Sequence, residues 1–180
     1  MSKKTTLSLI LPAFGAALIV VLSQIVIPVG TIPFTLQTLA IGLIATLFRP
    51  REAVLSVLLY LLLGGVGLPV FAGGSGGFSA LMGPTAGFLW GFVVYALTTS
   101  FLINPRTSLV VIFLANLLGA ITTLVLGVLG LHFLANMTWQ AAFSAGVLPF
   151  IVSDLVKILA ITFISKPIFN ALKQEEYFKQ

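Results

Sequence analysis

The chain has 180 residues, 59% of them hydrophobic and only 7% charged, and its mean hydropathy is +1.18. A soluble domain carries roughly a quarter charged residues, so this composition describes a membrane protein. A formal net charge of +5 does not signal a nucleic-acid partner, because the basic residues are scattered and form no stripe. The absence of cysteine excludes disulfides, thiolate metal sites and thiol redox chemistry, and a single histidine with few carboxylates argues against a metal centre.

The length suits one domain of about six spans at roughly 20 residues each. The first span is expected over Thr6–Ile27. Lys3-Lys4 before an apolar run imitates a signal peptide, but the following segments are equally apolar. Ala13 and Ala17 put small residues on one face of this span. Such spacing lets a second helix approach closely, either inside the bundle or from a separate membrane subunit. The Pro28–Pro33 turn follows, and Thr35-Leu-Gln-Thr opens a short second span over Thr35–Phe48. Gln37 lies in its first turn and offers both a donor and an acceptor.

Arg49-Pro-Arg-Glu52 reads as a compact charged turn, followed by a third span over Ala53–Leu63. Gly64-Gly-Val-Gly67 and Pro69 end it. The stretch from Pro69 to Pro84 contains Gly73-Gly-Ser-Gly-Gly77 and no charge. Irregular backbone near membrane depth is tolerated where it is buried in protein or lines a cavity. This stretch is therefore expected to be a structured lid, with Phe71 and Phe78 as apolar flanks. The Lys-Ser/Thr ending of a phosphate loop is missing.

The fourth span is expected from Pro84 to Ile103, with Trp90 and Tyr95 as packing residues. Asn104–Ser108 is a turn. The fifth span runs over Leu109–Leu129 and contains Asn116 among aliphatics, where a buried amide needs partners from a helix or a ligand. His132 falls in the next connection and reads as a surface residue. Thr138 caps a short helix over Trp139–Ala145. The sixth span is expected from Pro149 to Ser165, with Lys166-Pro167 as its end or a kink.

That last span carries Asp154 and Lys157, the only charges inside a membrane-length apolar segment. Three residues apart, they share a helix face. With 1.5 Å per residue, Asp154 lies about 8 Å below the helix entry. Charge at membrane depth is expensive and points at a partner, a cavity or a transport route. Lys3, Lys4, Arg49, Arg51, Arg106, Lys166, Lys173 and Lys179 fall on alternate connections, so eight of nine basic residues share one side. The positive-inside rule makes that side cytoplasmic, with both termini. The glycine-rich lid and the Pro28–Pro33 turn then lie outside, above the pair. Lys157 is expected to receive a carboxylate and Asp154 to accept N–H donors, with Asn116 and Gln37 adding directional bonds. The ligand so described is small, carries one carboxylate and amide-like N–H groups, and is otherwise apolar. No nucleotide-binding motif or catalytic constellation is present.

Four motifs carry a resemblance: Val29-Gly-Thr-Ile-Pro-Phe-Thr-Leu-Gln-Thr-Leu-Ala40, Gly67-Leu-Pro-Val-Phe-Ala-Gly-Gly-Ser-Gly-Gly77, Gly83-Pro-Thr-Ala-Gly-Phe88 and Leu148-Pro-Phe-Ile-Val-Ser-Asp-Leu-Val-Lys157. Together they resemble the BioY family, the biotin-specific S-components of energy-coupling-factor (ECF) transporters. The resemblance covers nearly the whole chain. One departure is Ile151-Val-Ser153, where family members often have Pro-Gly. The resemblance implies an all-α, six-helix membrane domain over residues 1–180 in the plasma membrane of a prokaryote. It also implies biotin as ligand, no cofactor, and ATP hydrolysis by two separate ATPase subunits joined through a transmembrane coupling subunit. The substrate-binding residues it implies are Asp154, Lys157, Asn116, Gln37, Phe71, Gly73 and Gly74. Ala13 and Ala17 resemble the contact for the coupling subunit. Two competing readings remain from the residues: a self-contained carrier with Asp154 as proton site, and a structural subunit whose charged pair only locks helices.

Overall fold

One proline and two hydroxyl caps set the starts of three helices of this chain. The computed structural model describes residues 3–27, 32–172, 174, 175 and 177. Among these, the α-helices are α1 (Lys3–Ser23), α2 (Gln37–Leu47), α3 (Pro50–Gly65), α4 (Ala86–Leu102), α5 (Leu109–Leu134), α6 (Trp139–Gly146) and α7 (Phe150–Leu172). A two-residue antiparallel pair, β1 (Val26–Ile27) with β2 (Phe34–Thr35), precedes α2. Pro50 occupies the first turn of α3, where its missing N–H costs nothing. The Ser108 and Thr138 hydroxyls accept backbone N–H bonds from Val111 and Ala141 and so start α5 and α6.

Among the described residues, three helical stretches are long and apolar enough to cross a membrane: Thr6–Ser23, Leu109–Leu134 and the α6–α7 stretch Trp139–Leu172. Large apolar side chains point outward, among them Val152, Phe101, Val110 and Phe163. A water-soluble fold would bury such residues; here they suit a lipid surround. Inside, small residues let backbones touch. A Cβ at Gly87 would stand 2.0 Å from the Leu126 carbonyl oxygen, so α4 and α5 meet there only through glycine.

Contacts define two ends of the bundle. At one end the α2–α3 turn meets the tail through Arg49 and Tyr177, and Lys166 Nζ donates to the Thr107 carbonyl at 2.7 Å. At the other end Phe34 of β2 meets Phe150 of α7 edge-on at 5.0 Å, and Ser23 Oγ donates to the Val70 carbonyl at 2.6 Å. Arg49, Arg51, Arg106 and Lys166 therefore belong to the first end. Pro28–Thr31 of the first connection, and Lys173 and Lys179 of the tail, lie outside the described residues.

Several sequence expectations are corrected. The sixth span does not stop at Ser165: α7 continues through Pro167 to Leu172. Pro167 forfeits one backbone bond, but the helix turns around it stay packed, with Ser165 and Phe169 buried. The fifth span extends to Leu134, because Gly130 packs against the Gly87 backbone instead of ending the helix. His132 accordingly sits in the last turn of α5. Its ring stacks on Trp139 at 3.9 Å, and Nδ1 lies 2.7 Å from the Met137 carbonyl oxygen. The departure at Ile151-Val-Ser153 leaves α7 helical from Phe150 onward.

Candidate functional site

α2 is only 11 residues long, about 16 Å at 1.5 Å per residue, roughly half a bilayer core. Its polar first turn therefore starts within the bundle. Thr35 Oγ1 accepts the Gln37 backbone N–H at 3.2 Å and fixes that start. From the same turn, Gln37 Nε2 donates to the Tyr60 hydroxyl of α3 at 2.5 Å. Thr38 reaches the other way, to α7.

On α7 the outward face carries Val152, Val156 and Phe163, and the inward face carries Asp154, Ile158 and Ile161. Asp154 is 8% exposed. Lys157 Nζ lies 3.3 Å from Asp154 Oδ1 and donates to Thr38 Oγ1 at 2.9 Å. The Thr38 hydroxyl in turn faces Asp154 Oδ1 at 3.4 Å. Among the described residues nothing donates to Asp154 Oδ2, and the only fully buried side-chain polar atom without a partner is Arg49 Nε. Oδ2 therefore opens onto free space. Lys157 likewise has three N–H bonds and two protein acceptors.

Asp154 and Lys157 line a cavity of about 250 Å³. Its walls are mainly apolar: Ile32, Phe71, Phe88, Leu89, Phe92, Leu124 and Phe150. Gln37, Thr38, Asp154 and Lys157 supply a polar end, and Thr35, Ser75, Thr85 and Thr123 add hydroxyls. An apolar recess with a few convergent polar groups is the usual form of a small-molecule site.

The glycine-rich stretch closes one side. Its backbone folds on itself, with Phe71 N–H donating to the Ser75 carbonyl at 2.9 Å and Gly77 N–H to the Gly64 carbonyl at 2.7 Å. Gly73 and Gly74 take φ of 69° and 71°, a region that favours glycine. Phe71, Ala72 and Ser75 line the cavity. Phe71 rests on Gly64, where an added Cβ would come within 2.1 Å of the ring, and meets Tyr60 edge-on at 5.4 Å. Gln24 Nε2 ties the stretch to the end of α1, at 3.3 Å from the carbonyl oxygens of Val70 and Phe71. Trp90 Nε1 donates to the Leu81 carbonyl at 3.2 Å.

The structure thus brings Asp154, Lys157, Gln37 and Phe71 together around one cavity. Gly73 and Gly74 shape the turn between two lining residues without lining it themselves. Phe78, expected as a second apolar flank, is 64% exposed and does not line the cavity. Asn116 is not on the cavity wall. It is fully buried, accepts from the Tyr95 hydroxyl at 3.0 Å, and donates to Thr46 Oγ1 and the Ile112 carbonyl at 2.9 Å each. Its amide joins α2, α4 and α5. Sequence reasoning missed Thr38, Phe88 and Phe150, although all three lie within the quoted motifs. On α1, Gly15, Ala16 and Ile19 face the bundle, whereas Ala13 and Ala17 are exposed. They are not an internal contact.

Comparison with known proteins agrees with this architecture. The BioY family model matches residues 1–174. Biotin transporter BioY2 of Lactococcus lactis is 41% identical over 173 residues, 95% of this chain and 95% of its own. Biotin transporter BioY of Thermotoga maritima is 38% identical over 149 residues, covering 83% of this chain and 88% of its own. A solved structure, the S-component for biotin from an ECF-type ABC transporter, aligns with 99% of this chain and 100% of that one. Its TM-score is 0.88 at 27% identity. The chain is an all-helical, multi-pass membrane protein that belongs to the BioY family.

Proposed function

We propose that this protein is the biotin-binding S-component of an ECF-type uptake transporter. It captures biotin from outside the plasma membrane and hands it to a module in which separate ATPase subunits drive import. The observation that carries the reading is a buried carboxylate and a neighbouring ammonium, each with bonding capacity left, lining a mainly apolar cavity. The six-span reading, one domain with both termini cytoplasmic, is supported by the gathering of Arg49, Arg51, Arg106 and Lys166 at the end away from the cavity. The exposed Ala13 and Ala17 suit close approach by a helix of the coupling subunit. The chain itself has no catalytic task in this scheme.

The geometry changes one assignment. With Asp154 3.3 Å from Lys157, a substrate carboxylate brought to the ammonium would meet a like charge. A neutral edge carrying N–H beside C=O fits the pair better: Asp154 Oδ2 accepts the N–H and Lys157 donates to the C=O. The ureido ring of biotin has that edge. Its sulfur ring then lies along the aromatic wall, and the valerate chain points to the mouth under the glycine-rich stretch. Gln37 and Phe71 complete the wall of this site. Asn116 supports it from behind.

The test is isothermal titration of detergent-purified protein with biotin, with thiamine and riboflavin as controls. Saturable binding of biotin alone is expected. Equal response to all three vitamins, or none to biotin, would contradict the reading. A protein that accumulated biotin in liposomes by itself under a pH gradient would favour a proton-coupled carrier instead.

A further inference from the structure

Asp154 and Lys157 pair through one carboxylate oxygen, and the second oxygen is left without a donor among the described residues. Asp154 and Lys157 are three residues apart on one helix and can reach each other without help. A lysine stem is long and flexible. Left alone, the ammonium would settle across both carboxylate oxygens and neutralise itself. The structure shows another arrangement: Nζ touches only Oδ1, and its closest acceptor is the Thr38 hydroxyl at 2.9 Å, nearer than the 3.3 Å to Asp154.

We infer that Thr38 is a positioning residue for the ligand: it draws Lys157 toward α2, holds the ammonium on Asp154 Oδ1 alone, and leaves Oδ2 free. The inference rests on the biotin-binding reading and extends it to a residue whose role is exerted through Lys157. Thr38 is suited to this by its own surroundings. The residue before it, Gln37, is pinned to Tyr60 of α3 at 2.5 Å, and the Gln37 N–H is held by Thr35 at 3.2 Å. The first turn of α2 therefore cannot drift, and the adjacent Thr38 hydroxyl presents a fixed acceptor to α7. That hydroxyl also turns its hydrogen toward Asp154 Oδ1 at 3.4 Å, so Oδ1 is the oxygen already occupied. Removing the hydroxyl takes away the competing acceptor. Lys157 then settles across both Asp154 oxygens, and the ligand must displace it from Oδ2 before it can bind.

The experiment is biotin titration of the full-length protein and five variants: Thr38→Val, Thr38→Ala, Thr38→Ser, Lys157→Ala and Thr38→Val with Lys157→Ala. Thr38→Val keeps the shape and deletes the hydroxyl, and should weaken binding about tenfold. Thr38→Ala is a second deletion should the valine variant fold poorly. Thr38→Ser restores the hydroxyl and should stay within about threefold of wild type. In the Lys157→Ala background, Thr38→Val should change affinity by less than about twofold, because its effect passes through the missing ammonium. Equal losses from Thr38→Val with and without Lys157 would overturn the inference, since Thr38 would then act on its own. So would wild-type affinity in both deletion variants, or a serine variant as weak as the valine one. A wild-type protein that binds no biotin would overturn the function reading itself, and this inference with it.

Discussion

Two buried carboxylates sit at opposite ends of this bundle, and their surroundings differ in one respect. Glu52, 3% exposed, has both oxygens taken by the protein: Oε1 by the Ser8 hydroxyl of α1 and Oε2 by the Tyr177 hydroxyl at 3.2 Å. Tyr177 also accepts the Arg49 backbone N–H at 2.8 Å, and the Arg49 guanidinium covers its ring at 4.7 Å. Burial pushes the Tyr177 phenol above its ordinary range, so it stays protonated and keeps donating to Glu52. Asp154, 8% exposed, has one oxygen occupied and, among the described residues, no donor to the other, and it lines a cavity. A saturated polar cluster fastens helices and a tail; an unsaturated one has bonding capacity left for a guest. Burial of charge by itself does not distinguish the two.

The widest separation between the clusters should appear on removing a charge. Lys157→Ala or Asp154→Asn should cut biotin affinity at least tenfold, because one buried charge loses its partner and the ligand loses an anchor. Titration of detergent-purified variants reads this. Asn116→Ala strands the Tyr95 and Thr46 hydroxyls and should cost about 2 kcal/mol of stability with little change in affinity once folded. Tyr177→Phe deletes the bonds to Arg49 and Glu52 and should cost about 1 kcal/mol, again without effect on biotin. Thermal melting with and without ligand checks both. Gly64→Ala crowds the Phe71 ring and should weaken biotin binding by roughly threefold, about 0.6 kcal/mol, by shifting one wall of the cavity. An Asn116→Ala or Tyr177→Phe variant with lost affinity but an unaltered melt would blur the comparison.

What was readable in the sequence follows the same division. Local signals act within one turn: Thr138 reads as the cap of α6, and Leu109 opens α5 as expected. Pro50–Glu52, by contrast, expected as part of a charged turn before a span at Ala53, is the first turn of α3. The charged pair was readable because its two members are three residues apart in an apolar run. Long-range partners were not. Glu52 looks like part of a solvated turn until Tyr177, 125 residues on, covers it. Thr38 looks like a helix-start hydroxyl, and its partner Lys157 is 119 residues away. Asn116 is fixed by three groups on α2, α4 and α5, so no spacing along one helix reveals whether its amide is spent. The continuation of α7 through Pro167 depends on packing around Ser165 and Phe169, which outweighs the local tendency to stop.

The most direct test sets Asp154→Asn beside Glu52→Gln in one series of biotin titrations. Both substitutions remove a buried carboxylate charge while keeping its shape. Asp154→Asn should lose at least tenfold in affinity, and Glu52→Gln should bind biotin as the wild type does. Equal affinities for the two variants would contradict the claim that the free oxygen of Asp154 anchors the ligand.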